Sequence, residues 1–232
     1  MNKKFTAIIP VRSGSKRLPN KNILPFADSN LLVHKIRQLK LVKNIDEIVV
    51  SSNSDIMLEM AKSESGGGRN KTVLIHKREE QFCDEKTRSF NDVVINIAES
   101  IDSDVLLWTP CVCPLVEINS YFKAVELFKE LVLSKKEFDS IVSAKIFKEY
   151  LWNENGPINY NPDKHVPSQF LPDWKIIVNG FYISERKNMI EWKYLYGKNP
   201  YLYILDKKQS VDIDDSDDFE IAKALLKKES TL

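Results

Sequence analysis

The sequence has no charge excess, no long apolar run and too few cysteines to staple a fold, and each absence removes a class of protein. Lys and Arg number 34 against 33 Asp and Glu, so the molecule as a whole has no field to draw in nucleic acid. Any anion must be gripped by a local cluster. No apolar segment reaches membrane-spanning length, and Met1-Asn2-Lys3-Lys4 runs straight into a strand-like stretch without a leader pattern; a cytoplasmic protein with no membrane partner is expected. Cys83, Cys111 and Cys113 are an odd set. Cys-x-Cys lacks the second half of a zinc site, so reduced thiols are expected. Neither G-x-x-x-x-G-K-[ST] nor G-x-G-x-x-G occurs. His34, His76 and His165 show no ligand spacing. There is no internal repeat, and Gly66-Gly67-Gly68 is the one low-complexity patch.

What remains is an ordinary globular composition. With 43% hydrophobic and 29% charged residues over 232 positions, the chain can bury one full core, and a single domain over 1–232 is expected. Short apolar runs alternate with helical periodicity, the mark of an α/β sheet. Strands are predicted at 5–11, 47–51, 72–75, 104–108, 140–144, 176–184 and 201–205. Helices are predicted at 31–42, 56–62, 89–100, 116–133 and 217–227. From about Phe147 to Asp173 the periodicity breaks into a stretch rich in Asn, Pro, Tyr and Trp. It is long for a loop, so an inserted lobe at about 147–175 is expected.

Chemistry concentrates at two places. Ile8 to Ile23 delivers a buried strand into a small-residue turn carrying Arg12, Lys16, Arg17 and Lys21. In an open α/β sheet this turn lies beyond the carboxyl end of the strand, where ligands bind. Ser13, Gly14 and Ser15 permit close backbone approach and offer donors. Arg can fork onto a phosphate, and Lys adds a mobile point charge. On composition alone the same loop also reads as a solvated basic turn. The second place is Ser210 to Ala222. If Val211 to Asp214 ends a strand, alternation puts Asp212 and Asp214 on one face, a hard oxygen pair suited to Mg2+. Asp215, Asp217 and Asp218 suit the cap of the helix that follows; the whole run as a helix start is the alternative.

These two segments, in this order, resemble the signatures of the acylneuraminate cytidylyltransferases (CMP-sialic acid synthetases and relatives). The first signature runs hydrophobic strand, then A-R-x-x-S-K-x-x-x-x-K-N; Arg12, Ser15, Lys16, Lys21 and Asn22 fall on it. The second is D-[IV]-D before an acidic-hydrophobic helix, matched by Asp212 and Asp214. The resemblance implies a Rossmann-like three-layer sandwich with a mostly parallel sheet, and a homodimer whose inserted lobe enters the partner. It implies CTP and a sugar acid as substrates, Mg2+ as cofactor, and attack of a sugar hydroxyl on the α-phosphorus with loss of pyrophosphate. Arg12, Lys16 and Lys21 would then be the catalytic cations, with Ser13, Gly14, Ser15 and Asn22 completing the nucleotide cradle.

Weaker matches follow. Thr87 and Ser89 stand where relatives approach the nucleotide, although Ser89 is an equally good helix cap. Gln169, Asn179 and Phe181 lie in Gln169-Phe170-Leu171-Pro172 and Asn179-Gly180-Phe181-Tyr182-Ile183, which resemble family elements facing the sugar acid, and Lys175 stands where an Arg is common. A buried Asn-Gly bend is the alternative there. The segment Trp108 to Leu115 departs from the family pattern, with Val112 and Cys113 in place of hydroxyl residues, and leaves the acceptor open. Kdo or another acid, or a nucleotide-binding homologue without catalysis, are the competing expectations.

Overall fold

The computed structural model describes residues 3–66, 71–84 and 86–229; Gly67 and Gly68 of the glycine patch, and Glu85, lie outside them. In chain order the elements are β1 Phe5–Pro10, β2 Pro25–Phe26, β3 Ser29–Asn30, α1 Leu31–Lys40, β4 Glu47–Ser52 and α2 Asp55–Ser63. There follow β5 Thr72–Lys77, α3 Phe90–Glu99, β6 Val105–Trp108, α4 Ile118–Leu127 and β7 Ser140–Phe147. The chain ends with β8 Trp152–Asn153, β9 Gly156–Pro157, β10 Trp174–Glu185, α5 Arg186–Trp192, β11 Pro200–Ile204 and α6 Ser216–Glu229.

Seven strands form one sheet in the order β11-β7-β10-β6-β1-β4-β5. β10 pairs antiparallel with both β6 and β7, while the other pairings are parallel. Strand alternation sorts the core into two layers. Ala7, Ile9, Ile48, Val50, Val105 and Leu107 face the side covered by α1, α2, α4 and α6. Ile8, Val49, Leu106 and Trp108 face α3 and α5. Both faces of the sheet are thus covered, as parallel strands with apolar residues at every position require.

Helix starts follow local chemistry. Val33 N–H donates to Asn30 Oδ1 (2.9 Å) at the head of α1. Ser89 and Asp92 form a reciprocal capping box on α3. The expected helix 116–133 is divided: α4 ends at Leu127 and a wider π-helical turn, Phe128–Ser134, continues it. α5 follows β10 directly and is too short to leave a periodic trace in the sequence. No helix among the described residues is long and apolar enough to cross a membrane.

β7 and β10 remain paired out to Phe147 and Trp174, so the predicted lobe is the excursion between two long strands. It holds the β8-β9 hairpin and a cluster in which Tyr150 packs edge-on to Tyr160 (4.8 Å) and against His165 (5.7 Å). Trp152 and Phe170 stand 65% and 71% exposed.

Candidate active site

A cleft of about 710 Å³ opens beyond the carboxyl ends of β1, β5 and β6. Arg12, Ser15, Lys16, Arg17, Lys21 and Asn22 line one side, and Asn179, Asp212 and Asp214 another. The two segments that carry the sequence signatures, 190 residues apart, meet there.

The basic loop is held from outside itself. Arg12 Nη1 donates to Cys83 O (2.6 Å), and Asn22 Nδ2 donates to Arg12 O (3.1 Å). Ser13 and Gly14 do not line the cleft. Ser13 N–H donates to Asn53 Oδ1 (3.0 Å) while Asn53 Nδ2 donates to Ser13 Oγ (2.7 Å). Gly14 supplies the φ of +74° at which the loop turns, a conformation that side chains resist. Lys21 Nζ donates to Ile213 O (2.7 Å), tying the basic loop to the acidic segment. Burial lowers the Lys21 pKa, with Asp214 and Asp212 pulling it back up.

The acidic segment is not a strand end. Val211 to Asp214 is irregular, and it is fixed by Ile213 N–H donating to Val112 O (2.9 Å). Asp212 and Asp214 therefore flank a residue whose N–H and carbonyl are both pinned. Asp212 Oδ2 accepts from Asn179 Nδ2 (2.9 Å), and Asn179 Oδ1 accepts from Tyr182 OH (2.7 Å). Asp212 Oδ1 is buried without a hydrogen-bond partner. Desolvation, joined by the like charge of Asp214, raises the Asp212 pKa. A buried orphan carboxylate oxygen in a cleft is a vacancy that a cation fits. Among the described residues no group of three or more His, Cys, Asp or Glu converges. Two carboxylates are a donor set that could hold Mg2+, which accepts one or two carboxylates and takes its other ligands from phosphates and water. Asp215 and Asp218 are committed to capping α6: Asp217 and Asp218 N–H donate to Asp215 Oδ1 (3.0 and 3.1 Å), and Asp214 N–H donates to Asp218 Oδ2 (3.0 Å).

Several candidates fall elsewhere. Phe181 is fully buried between Tyr121 and Tyr203 and is a core residue, not a sugar contact. The reason is a register shift in β10: Ile177 pairs with Ala144 but Tyr182 with Val142. Five residues of β10 advance against two of β7, and Phe181 is carried into the core. Ser143 fills the bulge, donating to Val178 O (2.7 Å) and Phe181 O (3.0 Å) and accepting from Phe181 N–H (2.9 Å). Gly180 allows a close approach, but to the core: an added Cβ would stand 3.0 Å from Leu205 and 3.1 Å from Ser143 Oγ. Thr87 spends its hydroxyl on the carbonyls of Gln81 and Asp84 and does not line the cleft. Ser89 does line it, although its hydroxyl accepts Asp92 N–H as the α3 cap. Gln169 and Lys175 lie on the lobe and the outer part of β10, away from this cleft. Val112 lines the cleft as expected for its segment, whereas Cys113 is wholly buried.

The sequence reading passed over Arg78 and the aromatic wall. Arg78 is buried, with Nη2 donating to Val11 O (2.7 Å) and Nε to Cys83 Sγ (3.0 Å), and it lines the cleft beside Val11. Phe90, Trp108, Tyr182 and Tyr194 form the opposite wall, Phe90 packing edge-on to both Trp108 (6.3 Å) and Tyr194 (6.1 Å). A lone Arg after a strand and scattered aromatics carry no spacing signal.

Comparison with known proteins gives concordant results. A family model described as Cytidylyltransferase matches residues 6–146. The pseudaminic acid cytidylyltransferase of Campylobacter jejuni (strain 81-176) is 27% identical over 235 residues, covering 97% of this chain and 97% of the relative. The N-acylneuraminate cytidylyltransferase of Escherichia coli O18:K1:H7 is 25% identical over 99% of this chain, which spans only 54% of that relative's length. Among solved structures, a CMP:2-keto-3-deoxy-manno-octonic acid synthetase complexed with CTP superposes with a TM-score of 0.69 at 13% identity, covering 97% of this chain and 99% of the other. A 4-diphosphocytidyl-2C-methyl-D-erythritol synthase from Anaerococcus prevotii gives 0.66 at 13% identity, with 97% of each chain covered. These neighbours share the Rossmann-like α/β fold.

Proposed function

The chain belongs to the cytidylyltransferase family, and we propose that it transfers CMP from CTP to a hydroxyl of a nonulosonic-type sugar acid, releasing pyrophosphate. The observation that carries this reading is the meeting of the basic loop and the Asp212–Asp214 pair in one cleft. Triphosphate chemistry demands that combination, because the protein's task is to position the reactants and neutralise charge.

In this reading Arg12, Lys16 and Lys21 grip the triphosphate, and Lys16 and Lys21 offset the charge that builds on the leaving pyrophosphate. The acceptor oxygen forms its bond to the α-phosphorus as the bond to the β-phosphate bridge breaks, and the hydroxyl proton passes to solvent. Asp212 and Asp214 would hold Mg2+, which when bound neutralises phosphate charge and lowers the pKa of a coordinated hydroxyl. Asn179 keeps Asp212 oriented, itself fixed by Tyr182 OH. Arg78, buried and lining the cleft beside Pro10 and Val11, brings a guanidinium donor to that end of the cleft. That suits a base that presents acceptors at O2 and N3. Asn22 lines the cleft next to Lys21, and in this reading it contacts the ribose.

The acceptor class draws support from the relatives named for pseudaminic and N-acylneuraminic acids, the first matched over nearly its full length. The aromatic wall opposite the loop fits an acceptor with apolar substituents on its ring. The exposed Trp152 and Phe170 suit a lobe covered by a second copy of the chain. Gln169 and Lys175 would touch an acceptor only in the cleft of that partner.

The test is pyrophosphate release from CTP and Mg2+ with a panel of sialic, legionaminic, pseudaminic and Kdo-type acids, with Asp212→Ala as control. Release with one acceptor that is lost in the control supports the reading. CTP binding without release across the panel overturns it.

A further inference from the structure

Lys35 is fully buried in the middle of α1, on the face turned to the sheet. Among the described residues its ammonium meets no carboxylate. Nζ donates to Cys113 O (2.9 Å) and to Tyr121 OH (2.6 Å), and stands 5.2 Å from the Tyr121 ring centre. The other ionisable groups acting on it are the buried thiols of Cys111 and Cys113, whose own pKa values burial pushes up, Cys111 to about 12. Burying an amine among neutral groups is expensive, and desolvation lowers the Lys35 pKa to about 8. A core alone would be served as well by a Met of similar length.

The amine sits at the root of a chain of backbone contacts that ends at the acidic pair. Neighbours on α1 grip the same segment: His34 Nε2 lies 3.0 Å from Pro114 O, and Gln38 Nε2 donates to Pro114 O (2.8 Å) and Val116 O (3.1 Å). Lys35 takes the carbonyl of Cys113, one peptide from Val112. Val112 O receives Ile213 N–H (2.9 Å) and Ile213 O receives Lys21 Nζ (2.7 Å). Asp212 and Asp214 hang on either side of that residue.

We propose that Lys35 is a positioning residue for Asp212 and Asp214, acting through the Cys111–Pro114 segment and the Val112–Ile213 hydrogen bond. It fixes the height of Val112 in the cleft wall and so the spacing of the two carboxylates. The proposal rests on reading that pair as the cation site.

The experiment compares wild type with Lys35→Met, which keeps length and apolar bulk. Mn2+ binding is titrated by electron paramagnetic resonance in the presence of CTP, and CTP binding is measured by calorimetry in EDTA. Lys35→Met is expected to bind Mn2+ about tenfold more weakly, as loss of a residue supporting metal ligands does, with CTP affinity in EDTA within about twofold of wild type. A merely structural role would lower the melting temperature and leave the metal-to-CTP ratio unchanged. If Lys35→Met folds poorly, Lys35→Gln, which keeps a shorter neutral donor, is read at a temperature where it is fully folded and must show the same split. Equal Mn2+ affinity in wild type and variant overturns the proposal alone. Wild type that binds CTP but no Mn2+ overturns the cation-site reading and the proposal with it.

Discussion

Arg17 and Asp214 face each other across the mouth of the cleft, with Nη2 donating to Oδ1 at 2.6 Å. One of the two carboxylates suited to a cation is therefore engaged by a guanidinium from the basic loop. Both side chains are well exposed, so the pair contributes at most about 1 kcal/mol to stability. Its interest is as a competitor for the cation.

Replacing Arg17 by Met should leave the unfolding free energy within about 1 kcal/mol of wild type. The Mg2+ concentration for half-maximal pyrophosphate release should fall by up to about fivefold, the equivalent of removing a 1 kcal/mol competitor. A rise in that concentration would mean that Arg17 serves the phosphates and does not compete for Asp214.

Asp212→Asn should lower the rate of pyrophosphate release by about 100-fold or more, yet stabilise the metal-free protein. The sign follows from the raised pKa. A carboxyl whose folded pKa lies above its ordinary 3.8 contributes stability that is full below that value and is lost as pH rises through the folded one. At neutral pH the bare Asp212 charge is a burden that the amide lacks. Melting scans in EDTA should rank the variant above wild type at pH 7 and bring the two together near pH 3. Added Mg2+ and CTP should raise wild type more. A variant less stable than wild type at pH 7 in EDTA would contradict this account.

Phe181→Ala should cost about 3–5 kcal/mol in denaturant unfolding, as expected for emptying a core site. The milder Phe181→Leu should leave the acceptor KM unchanged in folded protein. An acceptor KM raised about tenfold at unchanged stability would return Phe181 to the sugar site.

Trp152→Glu combined with Phe170→Glu should convert a dimer into a monomer by light scattering while leaving the core intact, because both side chains stand clear of it. Charges buried unpaired in an interface are strongly unfavourable. Wild type at the mass of one chain would dispose of the dimer.

How much of this was legible beforehand depended on whether the residue types themselves encode the geometry. β1 and β4 announce themselves because both faces of a central parallel strand are apolar. The basic loop does so because Arg12, Lys16 and Lys21 cluster within one turn. The acidic pair was read on the condition of a strand end; an irregular segment held by Val112, not strand alternation, sets Asp212 and Asp214. Phe181 was assigned to the sugar acid by resemblance alone, and the register shift of β10 opposite Ser143, a tertiary event with no local mark, puts it in the core. Arg78 and Lys35 were missed for a related reason, since a buried cation looks in sequence like any exposed one.

The single reversed strand has a consequence for how the molecule can change. β10 begins where its neighbours end, so Asn179 and Tyr182 reach the cleft from a stretch of chain that is remote from the basic loop. Its far end is anchored by the ion pair between Lys3 and Glu185. In the proposed reading, triphosphate handling and acceptor contact fall on separate parts of the chain. On that reading a drift in acceptor preference can accumulate at Tyr194 and Leu195 of the cleft wall while the loop at 12–22 stays as it is.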